Sequence, residues 1–234
     1  MQAGKLYLIP VPIHDEGADT IPESTLQVIK AIDYFLAERS KTARKFIKLL
    51  HPQCVQADLT VDEMTDAFDT LPYIDLLKKG RSIGVMSEAG NPCIADPGHK
   101  MVAACHIAGI DVVPLTGPSS ILLALIASGF NGQQFTFHGY LPNKKDALVS
   151  RLKLLEQAMV KTGYTQIFME TPYRNHFIWE GMLSAFSDKT LLCMAANLGG
   201  PEVVVKTRTV GSWKKSEAPD LQKIPAIFLI GQTS

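Results

Sequence analysis

Apolar and polar positions along the chain switch repeatedly between strand and helix periods. Leu6-Tyr7-Leu8-Ile9 is an apolar run of strand length, and Ser24 to Asp33 carries apolar residues at helical spacing. Tyr34-Phe35-Leu36-Ala37 predicts a second strand, and Thr42 to His51 predicts a helix with a basic face. Val61 to Lys79 reads as a helical region interrupted at Pro72. Ser82 to Met86 has the run of a buried parallel strand. Lys100 to Gly109 follows as a helix with Pro97 near its first turn and Gly109 at its end, and Val112 to Leu115 as another strand. This order predicts repeated βα units on a parallel sheet.

Thr116-Gly117-Pro118-Ser119-Ser120 is the expected hinge. Beyond it the pattern predicts a helix from Ser119 to Ser128, a strand at Phe135 to His138 and a long helix from Lys145 to Lys161. Further strands are expected at Gln166 to Met169, Leu191 to Met194, Val203 to Lys206 and Ala226 to Ile230. Several of these are separated by turns rather than helices, which predicts a mixed sheet. The fold class is therefore α/β, with two α/β domains, 1–115 and 116–234, and a cleft between them.

The densest local signal is the stretch from Gly84 to Gly98, where an apolar run is followed by small residues, two prolines and the carboxylates Glu88 and Asp96. In open α/β sheets ligands sit beyond the carboxyl ends of the strands, and Ala89 and Gly90 let a ligand approach the backbone closely. A connector rich in structure breakers is the alternative reading.

Composition narrows the classes. The 234 residues are 46% hydrophobic and 20% charged, enough for one large or two small domains with a full core. Lys plus Arg and Asp plus Glu balance at 23 each, so RNA binding gains nothing from net charge and needs a local basic patch. Cys54, Cys93, Cys105 and Cys193 form no Cys-x-x-Cys pair, and the six histidines show no metal-binding spacing; neither structural zinc nor a disulfide framework is expected. The longest apolar run, Ile121 to Ala127, is far short of the ~20 residues that cross a bilayer. No membrane, no metal and a reducing, cytoplasmic setting are expected.

Six separated segments then resemble, in order, the RsmI branch of the tetrapyrrole methylase superfamily. They are Leu6 to Ile13, Ser87-Glu88-Ala89-Gly90-Asn91-Pro92, Ala95-Asp96-Pro97-Gly98, Pro114 to Ser120, His138-Gly139-Tyr140-Leu141-Pro142 and Phe168-Met169-Glu170-Thr171-Pro172-Tyr173-Arg174. Pro225 to Gly231 is similar to the closing strand of the wider superfamily. The resemblance covers nearly the whole chain. It implies a tetrapyrrole methylase-like fold, S-adenosylmethionine (SAM) folded into the cleft, a homodimer, and methylation of a ribose 2′-hydroxyl in small-subunit ribosomal RNA. A tetrapyrrole or another small molecule as acceptor, and a non-catalytic SAM-binding module, are the alternatives.

The chain also departs from that branch. His14-Asp15 replaces a glycine-asparagine, Ala37-Glu38-Arg39-Ser40-Lys41 replaces Ala-Glu-Asp-Thr-Arg, and Ala196-Asn197-Leu198-Gly199-Gly200 replaces Arg-Glu-Leu-Thr-Lys. The additional C-terminal segment of many members is expected to be absent. These changes fall in segments expected to shape the acceptor site, so the methyl donor is better specified than the acceptor.

The resemblance implies cofactor contacts at Pro12, Ile13, Ser87, Glu88, Ala89 and Gly90, with Ser119 and Ser120 offering hydroxyls and amide donors at a helix start. It adds Glu170 and Asn197 at strand ends and Ala226, small enough to leave room beside the adenine. Helix capping by the serines and plain strand termination are the alternatives. Glu38 and Asp96 are the candidate general bases; a role as helix cap is the competing reading of Asp96. Lys41, Arg44 and Lys45 are the candidate phosphate contacts, with Lys144-Lys145 as a second cluster, against the reading of a solvated helix face. Cys93 has no activating neighbour and reads as a packed small side chain.

Overall fold

The computed structural model describes residues 2–65 and 67–233. It divides into two compact units, Met1–Ser119 and Ser120–Ser234. The first is built on five parallel strands: β1 (Leu6–Ile9), β2 (Tyr34–Ala37), β3 (Thr60–Glu63), β4 (Ile83–Met86) and β5 (Val112–Pro114), in the order β3-β2-β4-β1-β5. The helices are α1 (Glu23–Ala31), α2 (Ser40–Leu50), α3 (Leu71–Lys78) and α4 (His99–Ala108).

Alternating strand residues feed two cores. Ile9, Phe35, Ala37 and Met86 pack with Ile29 of α1 and Ala43, Phe46 and Ile47 of α2. Leu6, Tyr34, Leu36, Ile83 and Val85 pack with Ile74 and Leu77 of α3 and Met101 and Cys105 of α4. Both faces of the sheet are thus covered, which is why the central strands read as continuous apolar runs.

The helical expectation over Val61 to Lys79 is corrected at its start. Thr60–Glu63 is a strand, paired in register with Tyr34–Ala37, and the helix begins only at Leu71. This is the sheet edge, where no residue of the strand is buried, so it carries no apolar run to betray it. Side chains hold it instead. Tyr34 donates to Asp62 Oδ2 at 2.6 Å, Tyr73 to the same oxygen at 3.3 Å, and Ser40 donates its amide and hydroxyl to Glu63 Oε1. Glu63 therefore takes up a free amide in the first turn of α2 from outside the helix.

The second unit has the mixed sheet that the turn-linked strands predict. Its strands β6 (Phe135–Tyr140), β7 (Thr165–Glu170), β8 (Leu191–Ala196), β9 (Val204–Thr209) and β10 (Ala226–Gly231) lie in the order β6-β7-β10-β8-β9. Only β6 and β7 run parallel. One face packs on α6 (Lys145–Thr162), α7 (Asn175–Ala185) and α8 (Val210–Lys214) through Leu148, Leu152, Ile178, Trp179, Met182 and Trp213. The other packs on α5 (Ser120–Ser128) through Ala124 and Leu125.

Helix α7 goes beyond the strands and turns expected there, although Ile178, Trp179, Met182 and Ala185 have helical spacing. Asn175, fully buried at its first position, donates to Leu221 O and Ile224 O and so fixes the loop entering β10.

Candidate functional site

The sheet order of the first unit puts the exits of β1 and β4 side by side, and the two chains are tied there. Val11 N donates to Gly90 O at 2.9 Å, and Gly90 N donates to Val11 O at 3.1 Å. The buried Ser87 hydroxyl closes the turn on Gly90 O at 2.8 Å. Gly90 has φ +70°, and a Cβ there would lie 3.3 Å from Ile13 Cγ2. The exit of β5 joins them: Asn91 Nδ2 donates to Pro118 O at 3.3 Å, and a Cβ on Gly117 would stand 2.3 Å from Pro10 Cγ. Glycine at 117 is thus what lets the β5 exit lie against the β1 exit.

This arrangement leaves part of the turn unused. Ala89 is exposed, and neither its amide nor that of Glu88 donates to a protein acceptor among the described residues. Thr42 of α2 holds the Glu88 carboxylate at 3.1 Å. The turn therefore offers two backbone donors beside a small side chain, with buried Pro12 and half-buried Ile13 alongside. Such a cradle fits the polar end of a SAM-sized ligand.

Three carboxylates stand together at this end of the sheet. Burial pushes Asp96 up to about 6, and the neighbouring charges of Glu38 and Glu88 add to the effect. Asp96 does not cap α4: Gly98 holds the N-cap position, and among the described residues no side chain bonds the cap. A carboxyl poised near 6 can take a proton at neutral pH more readily than an ordinary aspartate. Cys93 is packed and half-buried, and burial followed by the charge of Asp96 pushes its thiol up, away from reactivity.

The basic cluster is divided by its partners. Arg44 donates from Nη1 to Gln56 O at 2.8 Å and from Nη2 to Leu59 O at 3.1 Å, so it braces the segment leading to β3 rather than standing free for phosphate. Lys45 pairs with Asp15 at 3.0 Å on the surface, a contact of small energetic weight. Lys41 is exposed and has no side-chain partner among the described residues. Lys144 and Lys145 are exposed at the start of α6.

In the second unit the β-ladder gathers three of the expected residues. Ala226 at the start of β10 pairs with Glu170 at the end of β7 on one side and with Ala196 at the end of β8 on the other. Asn197 follows at φ +56°, with its amide donating to Pro225 O at 2.9 Å. The Glu170 carboxylate is buried; Oε1 accepts from the Thr171 amide, and Oε2 lies 3.0 Å from Arg174 Nη2 without a hydrogen-bonding angle. Ser120 opens α5, directly after Ser119. A cavity of about 430 Å³ beside Asn197 is walled by Ala196, Lys206, Arg208 and Trp213.

One polar chain joins side chains that no sequence motif links. Arg151 Nη2 lies 3.1 Å from His138 Nδ1, and His138 Nε2 lies 2.8 Å from Gln166 Oε1. Gln166 donates its own amide to Tyr164 O, so its Oε1 is an acceptor, Nε2 of His138 carries the proton, and Nδ1 accepts from Arg151. Burial lowers the His138 pKa; the Gln166 hydrogen bond opposes this and the Arg151 charge reinforces it. Among the described residues no group of three or more His, Cys, Asp or Glu is placed to hold a metal, and no helix is long and apolar enough to cross a membrane.

The model of the family described as Tetrapyrrole (Corrin/Porphyrin) Methylases matches residues 5–212. The chain belongs to that family. Among the curated relatives of this tetrapyrrole methylase, the Ribosomal RNA small subunit methyltransferase I of Vibrio cholerae is 34% identical over 193 residues, 82% of this chain and 64% of the relative. The protein of the same name from Streptococcus pyogenes is 34% identical over 191 residues, 81% of this chain and 63% of the relative. The chain thus spans less than two thirds of the length of these relatives. Among solved structures, the methyltransferase CobJ superposes with a TM-score of 0.63 at 15% identity, covering 98% of this chain and 95% of that one. The uroporphyrin-III-C-methyltransferase of Thermus thermophilus gives a TM-score of 0.55 at 19% identity, covering 98% and 93%. These two likenesses establish the tetrapyrrole methylase fold.

Proposed function

We propose that this tetrapyrrole methylase uses SAM to methylate a ribose 2′-hydroxyl of small-subunit ribosomal RNA, as a cytoplasmic homodimer. The observation that carries the reading is the Ser87–Gly90 turn, tied to Val11, which leaves the Glu88 and Ala89 amides as unspent donors at the end of a parallel sheet. The relatives that share this chain's sequence at 34% identity bear the corresponding name.

SAM supplies a methyl group on a cationic sulfur that leaves as a thioether. The Glu88 and Ala89 amides would hold the carboxylate of its methionine part, with Pro12, Ile13 and Gly90 beside it. Ser119, Ser120, Glu170, Asn197 and Ala226 are proposed as further contacts. Asp96 would take the proton that the ribose hydroxyl must lose for its oxygen to accept a methyl group. Burial first, and then the charges of Glu38 and Glu88, keep Asp96 basic enough for that role. Lys41 contacts RNA phosphate, and Arg44 is withdrawn from that role because its donors are committed to Gln56 and Leu59.

Calorimetric titration with SAM and S-adenosylhomocysteine, followed by transfer of labelled methyl to small ribosomal subunits lacking this modification, tests the reading. Binding with transfer supports it. Binding without transfer to RNA leaves a small-molecule acceptor or a non-catalytic module, and no binding removes the SAM assignment. Light scattering tests the dimer.

A further inference from the structure

A second cavity, of about 270 Å³, opens in the first unit where β2 and β3 end against the start of α4. Glu38, Met64, Phe68, Gly98, His99 and Met101 are among the residues that line it. It is separate from the Ser87–Gly90 turn: no residue of that turn lines it.

The walls suit a flat heteroaromatic ring. Met64 and Met101 are both buried, and their polarizable thioethers make favourable contacts with aromatic rings. The Phe68 ring is stacked on Tyr73, 5.0 Å between centroids at 15°, and Tyr73 is anchored through its hydroxyl to Asp62. One aromatic wall is therefore held before anything binds.

The polar groups select among rings. Glu38 lines the cavity, and its carboxylate accepts no hydrogen bond from protein among the described residues. An ionised carboxylate only accepts, so its complement is a donor such as the exocyclic amino group of cytosine, adenine or guanine; uracil offers a carbonyl there. His99 and Lys100, exposed at the first turn of α4, stand at the same cavity and suit the phosphate that accompanies a base.

Resting on the RNA-methylating reading above, we propose that this cavity receives the base of a substrate nucleotide, that Glu38 selects a base with an exocyclic amino group, and that Met64, Phe68 and Met101 hold its ring. The position agrees with the chemistry, because Glu38 is also one of the two carboxylates whose charge Asp96 feels.

The test uses the full chain with ¹³C-labelled methionine methyl groups, saturated with S-adenosylhomocysteine, and titrated with CMP, AMP and UMP. CMP or AMP is expected to shift the Met64 and Met101 methyl signals at several-fold lower concentration than UMP, while Met159 and Met182, buried among helices of the second unit, stay in place. Glu38→Gln is expected to level that preference. Equal response to UMP, or no movement of Met64 and Met101 with any nucleotide, overturns the proposal while S-adenosylhomocysteine binding still supports the methyl-donor reading. Failure to bind S-adenosylhomocysteine counts against the methyltransferase reading itself. Should Glu38→Gln not fold, the comparison of CMP with UMP on the parent protein decides.

Discussion

Val11 and Gly90 exchange both of their backbone hydrogen bonds, 2.9 and 3.1 Å, although they belong to the exits of two strands far apart in sequence. The bridge sets the shape of the turn that we propose holds SAM. Gly90→Val puts a β-branched residue at φ +70° and a methyl-bearing carbon against Ile13. SAM affinity measured by calorimetry should fall at least tenfold, about 1.4 kcal/mol, with some loss of stability from backbone strain. Gly129→Ala is the control, since Gly129 has φ +78° and open space around it. It should lose stability without losing SAM affinity, and an equal loss of affinity would mean that the turn has no special role.

The Asp96 pKa of about 6 has two consequences of opposite kind. A carboxyl whose folded pKa is raised makes the fold bind more protons than the unfolded chain, so its contribution to stability falls as pH rises from about 4 through about 6. Asp96→Asn should therefore be at least as stable as the parent near neutral pH in thermal melts. Methyl transfer should rise with pH through about 6 in the parent, and Asp96→Asn should lose roughly 10²- to 10⁴-fold in rate with SAM affinity kept. A variant with unchanged rate would remove Asp96 from the proton transfer.

Lys41 and Arg44 sit three positions apart on α2 and should respond differently. Lys41→Ala should weaken RNA binding and flatten its salt dependence by about one unit of slope, leaving the melting temperature unchanged. Arg44→Ala strands the Gln56 and Leu59 carbonyls and should chiefly lower stability, by about 1.5–3 kcal/mol for its charged hydrogen bonds. Denaturant titration beside filter binding separates the two, and an Arg44→Ala protein of parental stability would contradict its role as a brace.

His138 is held neutral, with Nδ1 accepting from Arg151 and Nε2 donating to Gln166. Its lowered folded pKa means that stability is lost as pH falls from the unfolded value of about 6.5 toward the folded one. His138→Gln, which can accept from Arg151 and donate to Gln166 without titrating, should flatten this acid limb of the stability profile. An unchanged profile would place the acid sensitivity elsewhere.

The amino-acid sequence already marks the elements whose physics is local. Phe35, Leu36, Val85 and Met86 read as strand because both faces of a central parallel strand are buried, and Gly109 reads as a helix end because it closes an apolar-periodic run. It also determined the family, because the short segments around Ser87–Pro92 and Thr116–Ser120 are backbone requirements written as residue identities. Strand β3 was decided by tertiary structure. Its polar residues become a strand only because Tyr34, Tyr73 and Ser40 bring donors to Asp62 and Glu63 across the sheet edge. The chemistry of the site was decided in the same way. A carboxylate's pKa depends on what surrounds it, so Asp96 becomes a base poised near 6 only when the fold buries it beside Glu38 and Glu88. Arg44 leaves the basic cluster only when the fold brings two carbonyls to it. Spacing along the chain records neither, since partners such as Thr42 and Glu88, 46 positions apart, meet only after the strands have paired.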